Sequence, residues 1–161
     1  MKKLVSVLVA LAASLLTGDE VYSAFVIKVE DGDTLRLSVT GGVEAVRCRL
    51  AGIDAPEKGQ SFAEVARARL TELVEKKNVT FTDVGPDKYR RRLGRITLED
   101  GTDVNLEMVR EGYAWHLSHF LTNETYKAVQ KEAREARRGL WIEDKPIEPR
   151  IYRKGNSTRR R

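Results

Sequence analysis

The chain has one cysteine, Cys48, among 161 residues, which excludes an intramolecular disulfide and a cysteine-built metal site. Cys48 lies in the alternating run Val46-Arg47-Cys48-Arg49-Leu50 and reads as a small buried hydrophobe. The fold must therefore be held by its apolar core, with or without a bound ion. Histidine is almost as scarce. His116 and His119 stand three positions apart, a spacing open to a metal pair, but no third ligand lies near them in sequence. They read as structural or surface residues. A membrane-length apolar stretch is missing from the N-terminus as well. Leu4 to Leu16 runs for thirteen residues, short of the ~20 that a spanning helix needs. Preceded by Lys2 and Lys3 and followed by Val21-Tyr22-Ser23 before Ala24, it reads as an export signal over 1–23, with an uncleaved anchor as the alternative. No internal repeat is visible.

Acidic residues are missing from the last twelve positions. Residues 150–161 hold six bases (Arg150, Arg153, Lys154, Arg159, Arg160, Arg161) and no acid. The net charge of +5 thus reduces to 23 basic against 24 acidic residues over positions 1–149. A basic tail and local patches are implied, not a uniformly cationic body. Segment 143–161, interrupted by Pro146 and Pro149, is expected to be a flexible basic tail. A 41% hydrophobic and 33% charged composition is that of one soluble globular domain.

Periodicity places the elements. Ser23–Glu30, Thr34–Val39 and Val43–Ile53 alternate and are joined by Asp31-Gly32 and Gly41-Gly42 turns, which predicts a three-stranded antiparallel meander. Ser61 and Glu64 have capping-box spacing before an apolar helical pattern reaching about Lys77. Asn78–Val84 and Leu93–Leu98 read as further strands, Val104–Glu111 as a short helix stopped by Gly112, and Asn123–Arg138 as a third helix ended by Gly139. The fold class is α+β: a five-stranded OB-type β-barrel with three α-helices, over residues 24–142.

The residues suited to chemistry fall in three segments. Asp33 leaves a turn at the start of one strand, and Asp54 follows the end of another. In one barrel the two can meet at its rim, where a divalent cation with oxygen ligands would relieve their repulsion. An ordinary Asp-Gly hairpin turn is the competing reading, with Asp31 suited to a turn role. Glu57 follows Pro56 and could activate a water, or be a solvated loop residue. Arg49 sits in a strand suited to burial and needs an anionic partner. Lys88, Arg90, Arg91, Arg92 and Arg95 surround Tyr89, either as a solvated basic hairpin or as a guanidinium-rich phosphate site.

Taken in order, Asp31-Gly32-Asp33-Thr34, Arg49-Leu50-Ala51-Gly52-Ile53-Asp54-Ala55-Pro56-Glu57, Asp87-Lys88-Tyr89-Arg90-Arg91, Val104-Asn105 and Val109-Arg110-Glu111-Gly112-Tyr113-Ala114 resemble the thermonuclease (staphylococcal nuclease-like) family over about residues 25–142. The resemblance implies a calcium-dependent endonuclease that cleaves DNA and RNA with little sequence preference and leaves 3′-phosphate ends. It implies Asp33, Asp54 and the backbone carbonyl of Ala55 as Ca2+ ligands, and Arg49 and Arg91 on the scissile phosphate. Glu57 would be the general base, with Lys88 and Tyr89 beside the nucleotide. Arg90 stands where the family usually has glycine, so Arg90 or Arg92 are alternatives to Arg91. The tyrosine expected after the second helix is replaced near Ser118, with Phe120 as a substitute. The expected protein is a secreted or periplasmic monomer with no stable protein partner. A non-catalytic nucleic-acid-binding OB module and an exported calcium-binding domain held to anionic polymers by its tail are the competing classes.

Overall fold

A computed structural model describes residues 19–117 and 123–158. Most of the expected signal segment, and Ser118, His119 and Phe120, lie outside the described residues. Five strands close into a barrel in the order β1-β2-β3-β6-β5: β1 Glu20–Val29, β2 Thr34–Val39, β3 Val46–Leu50, β5 Asn78–Pro86 and β6 Arg92–Thr97. All neighbours are antiparallel except β3 and β6, which run parallel. The barrel interior is filled by alternating residues, among them Val26, Leu35, Leu37, Cys48, Phe81 and Ile96, each at most 1% exposed. Each large apolar side chain so buried is worth roughly 1.5–3 kcal/mol. Cys48 is thus the small buried hydrophobe its position implied.

Four α-helices occur among the described residues, one more than expected: α1 Ala63–Val74, α2 Val104–Arg110, α3 Glu124–Glu135 and α4 Pro149–Thr158. Ala66, Leu70 and Val74 of α1 join the barrel core. Asp103 caps α2 by accepting from Leu106 N at 3.0 Å, and Asn123 caps α3 by accepting from Thr125 N at 2.9 Å.

Four sequence expectations are corrected by packing. The capping box at Ser61 and Glu64 does not form: Phe62 takes the N-cap position with φ 63° and no side-chain cap bond. Its ring instead packs against the cluster of Ala133, Leu140, Trp141 and Trp115, and that burial outweighs one capping hydrogen bond. The long third strand is broken. After Leu50 the chain turns at Gly52, with φ 75°, and resumes as β4, Ile53–Asp54, paired with β7, Trp115–His116. Strand β1 begins before the expected domain boundary at residue 24, because Glu20–Ser23 pair with Asp83–Thr80 of β5 and Tyr22 stacks on Phe81. Finally, the segment expected to be a flexible tail carries α4. Pro149 suits a first helical turn, and the Glu148 carbonyl accepts from Ile151 N and Tyr152 N at 2.9 and 3.0 Å.

Candidate active site

Strand register builds the site. Thr34 of β2 lies opposite Arg49 of β3, so Asp33, one residue earlier, reaches the end of β3, where its carbonyl accepts from Leu50 N at 2.8 Å. The turn before it is tightly seated. A Cβ at Gly32 would lie 2.7 Å from the Ala55 Cβ and 2.9 Å from the Ala66 Cβ, so only glycine lets this turn close against the Asp54–Ala55 segment and α1. Asn105 of α2 fastens the other side. Its amide nitrogen donates to the Ala51 and Gly94 carbonyls, both at 3.0 Å, and its oxygen accepts from Ile96 N at 3.1 Å. The break after Leu50 is thereby locked, and Ile53–Asp54 turns back toward Arg49.

Asp33, Arg49 and Asp54 meet there. The Arg49 guanidinium ion-pairs with Asp33 Oδ2 through one nitrogen. Through the other it reaches Asp54 Oδ1 at 2.7 Å and the Ile53 carbonyl at 3.1 Å. Asp33 is 5% exposed and Asp54 2% exposed. Asp33 Oδ2 also accepts from Ala55 N at 2.8 Å, and its Oδ1 accepts from Thr34 Oγ1 at 3.0 Å. Burial alone would push the Asp33 carboxyl up, but the Arg49 charge and these donors hold it below the ordinary carboxylate value. Neighbouring Asp31 is shifted the other way. Burial, then the Asp33 charge, raises it to about 6. Asp31 accepts from Asp33 N at 3.0 Å, the turn role expected of it.

Glu57, 38% exposed on its side chain, lies just beyond on the same loop. Its backbone N donates to Gln60 Oε1 at 3.0 Å. A residue that sequence reasoning missed links it to Asp54. Arg153 of α4 donates to Asp54 Oδ1 and Oδ2 at 3.0 and 2.9 Å and also bonds Glu57 Oε1. The charge run of the C-terminus was the only signal for Arg153, and it does not name a partner.

Lys88, Tyr89 and Arg91 form a separate cluster on the β5–β6 hairpin. Asp87 Oδ1 accepts from Tyr89 N and Arg91 N at 2.8 and 3.0 Å, and its Oδ2 accepts from Arg91 Nε at 2.8 Å. Lys88 and Arg91 lie 5.0 and 5.5 Å from the Tyr89 ring centre. Arg92 is held by Asp83 at 2.7 Å. Arg90, at the position expected to be glycine, adopts φ 62°, so the glycine-type backbone turn is kept with a side chain on it. His116 is a structural residue: its backbone N donates to Gln130 Oε1 at 2.8 Å and its Nδ1 lies 3.3 Å from the Gly52 carbonyl.

A buried pair of carboxylates, an arginine between them and a loop glutamate thus stand together at the rim of a small barrel. The family described as "Staphylococcal nuclease homologue" matches residues 47–143. An "Uncharacterized endonuclease" of Escherichia coli O157:H7 is 41% identical over 128 residues, 80% of this chain and 82% of that protein. One of the same description from Haemophilus influenzae is 39% identical over 129 residues, 80% of this chain and 71% of that one. A "Micrococcal nuclease" of Shigella flexneri is 36% identical over 141 residues, 81% of this chain and 80% of that protein. The chain belongs to the staphylococcal nuclease homologue family. It is accordingly a hydrolase of the endonuclease kind, built on the OB-type barrel of that family.

No group of three or more His, Cys, Asp or Glu side chains is arranged around a common metal position among the described residues. A staphylococcal nuclease-type cation would therefore rely on two carboxylates, a backbone carbonyl, water and substrate oxygens. The donors present suit this. Asp33, Asp54 and Ala55 offer only hard oxygen ligands, as calcium takes, and the carboxylates need a cation strongly enough to draw in Arg49 and Arg153.

Proposed function

We propose that the protein is a secreted or periplasmic, monomeric, calcium-dependent endonuclease that hydrolyses DNA and RNA with low sequence specificity and leaves 3′-phosphate ends. The observation that carries this reading is the convergence of buried Asp33 and Asp54 on Arg49, with Glu57 on the adjoining loop. Asp33, Asp54 and the Ala55 carbonyl would hold the cation, which supplies Lewis acidity toward a phosphate oxygen. Glu57 takes a proton from the attacking water. The water oxygen bonds to phosphorus as the P–O5′ bond breaks, and the 5′ oxygen leaves as a hydroxyl with a proton taken from solvent water. Arg49 and Arg91 stabilise the extra negative charge that phosphorus carries at that moment. Lys88 and Tyr89, beside Arg91 on the hairpin, would contact the nucleotide. Lys2, Lys3 and the apolar run after them support export.

The test is degradation of single-stranded DNA by purified protein. Calcium should support cleavage, a chelator should stop it, and Glu57→Ala should lower turnover by about 100-fold. Undiminished cleavage in chelator removes calcium from the mechanism, and binding without cleavage in calcium returns the chain to a non-catalytic module.

A further inference from the structure

Arg153 is not accounted for by the reaction just described. Its guanidinium takes both oxygens of Asp54, at 3.0 and 2.9 Å, and one of Glu57. Asp54 is 2% exposed, while the Arg153 side chain is 44% exposed. One face of the arginine thus covers the buried carboxylate and the other faces water. Both oxygens of one proposed cation ligand, and one oxygen of the proposed base, are occupied by the same group.

The helix that carries Arg153 is lightly attached. α4 is not among the most closely packed helix and strand pairs, and its Pro149 is buried. It is held by side chains around the loop after Asp54. Gln60 donates to the Ile147 carbonyl just before the helix, and the Tyr152 hydroxyl lies beside Gly59. Ile147 and Ile151 are largely exposed. A terminal element with an exposed outer face and few close packing neighbours belongs to the low-stability end of a fold.

We propose that α4 is an autoinhibitory strap, in which Arg153 neutralises Asp54 and Glu57 and must be displaced by a divalent cation and the phosphodiester. This inference rests on the assignment of Asp54 to the cation and Glu57 to the water. A guanidinium lying bidentate across Asp54 and a divalent cation on the same oxygens repel one another, so the two states exclude each other. Without Arg153, Asp33 and Asp54 keep Arg49 alone and Glu57 loses its ion pair, which is the electrostatic setting that draws a cation. Binding to a site that is open only part of the time is weakened by the open fraction, so the strap sets a threshold of calcium below which the enzyme stays closed. An arginine that met only substrate, away from Asp54, would not behave this way, and a fixed arginine would leave α4 exchange unaltered by calcium.

The experiment uses the full chain and calcium alone, without nucleic acid. Calorimetric titration of the wild type, Arg153→Ala and Arg153→Gln is combined with amide hydrogen exchange over 149–158. Asp33→Asn serves as the control that should lose calcium binding. The strap predicts that Arg153→Ala binds calcium about tenfold more tightly or better, with Arg153→Gln shifted the same way. It also predicts faster exchange of α4 amides in the wild type once calcium is saturating. Equal or weaker calcium binding by both Arg153 variants overturns the strap and leaves the calcium assignment standing. So does α4 exchange that calcium does not alter. Absence of calcium binding in every protein overturns both.

Discussion

The rim of the barrel and the β5–β6 hairpin each hold an arginine ion-paired to aspartate, yet the two are built in opposite ways. Arg49 joins Asp33 and Asp54, residues sixteen positions before it and five after it, and the β2–β3 register brings them together. Arg91 finds Asp87 only four positions away, inside one turn. At the rim, fold and site are the same structure, and a change in either is felt in both. On the hairpin the arginine is organised locally, within one turn. Charge is easier to rearrange there than at the rim.

Arg49→Ala should therefore break the comparison most strongly. Turnover should fall by at least about 100-fold, and removing one partner of a buried pair should cost about 3–5 kcal/mol of stability. Arg91→Ala should lose a comparable factor in turnover with a smaller stability loss, about 1–3 kcal/mol, because Asp87 keeps its bonds from the Tyr89 and residue-91 backbone nitrogens. Denaturant unfolding set beside turnover separates the two; equal stability losses would mean that the sites are not built differently. Gly32→Ala tests the rim through its backbone. The new methyl meets Ala55 and Ala66, and overpacking of this kind costs about 1–3 kcal/mol. Stability and calcium affinity should drop together as Asp33 shifts, and a variant that keeps both would show that the close seat is unnecessary. The hairpin counterpart is Arg90→Gly, which relieves a side chain at φ 62°. It should raise the melting temperature slightly, by the equivalent of about 1 kcal/mol, and leave turnover within about twofold if Arg91 and not Arg90 reaches the phosphate. A large loss of turnover would move that role to Arg90.

The smallest effect concerns pH. Burial lowers His116 from its ordinary 6.5, so between the two values the unfolded chain binds more protons than the folded one. Stability should therefore rise with pH through this window and fall on acidification below about 6.5. Comparing unfolding curves of the wild type and His116→Gln isolates the contribution, and identical pH slopes would show that His116 does not titrate with folding.

How much of this was legible beforehand depended on how far apart the cooperating residues lie. The span of β2, Thr34–Val39, followed from alternation and two short turns, because those signals are local, whereas the meeting of Asp33 with Asp54 was one of two open readings and depended on barrel closure. Phe62 was not legible as an N-cap, since the aromatic cluster that claims it comes from residues 115–141. Nor was the break after Leu50. β4 is two residues long and exists only because β7 pairs with it, and no periodicity can register in so short a piece. Arg153 was hidden most deeply. Its partner Asp54 is 99 positions upstream, and a run of bases without nearby acids looks solvated until the fold supplies one.

The aromatic cluster behind α1 has a practical side. The chain has two tryptophans, and both lie in this cluster, Trp115 and Trp141 with ring centres 4.4 Å apart. The Arg134 guanidinium lies 5.0 and 4.2 Å from their rings. Trp115 also lines a cavity of about 280 Å³ that reaches Tyr152 of α4. Intrinsic emission from this protein therefore originates in one spot, where α3, the 139–142 turn and the loop under α4 meet. Tryptophan emission can thus report on the seat of α4 without any added label.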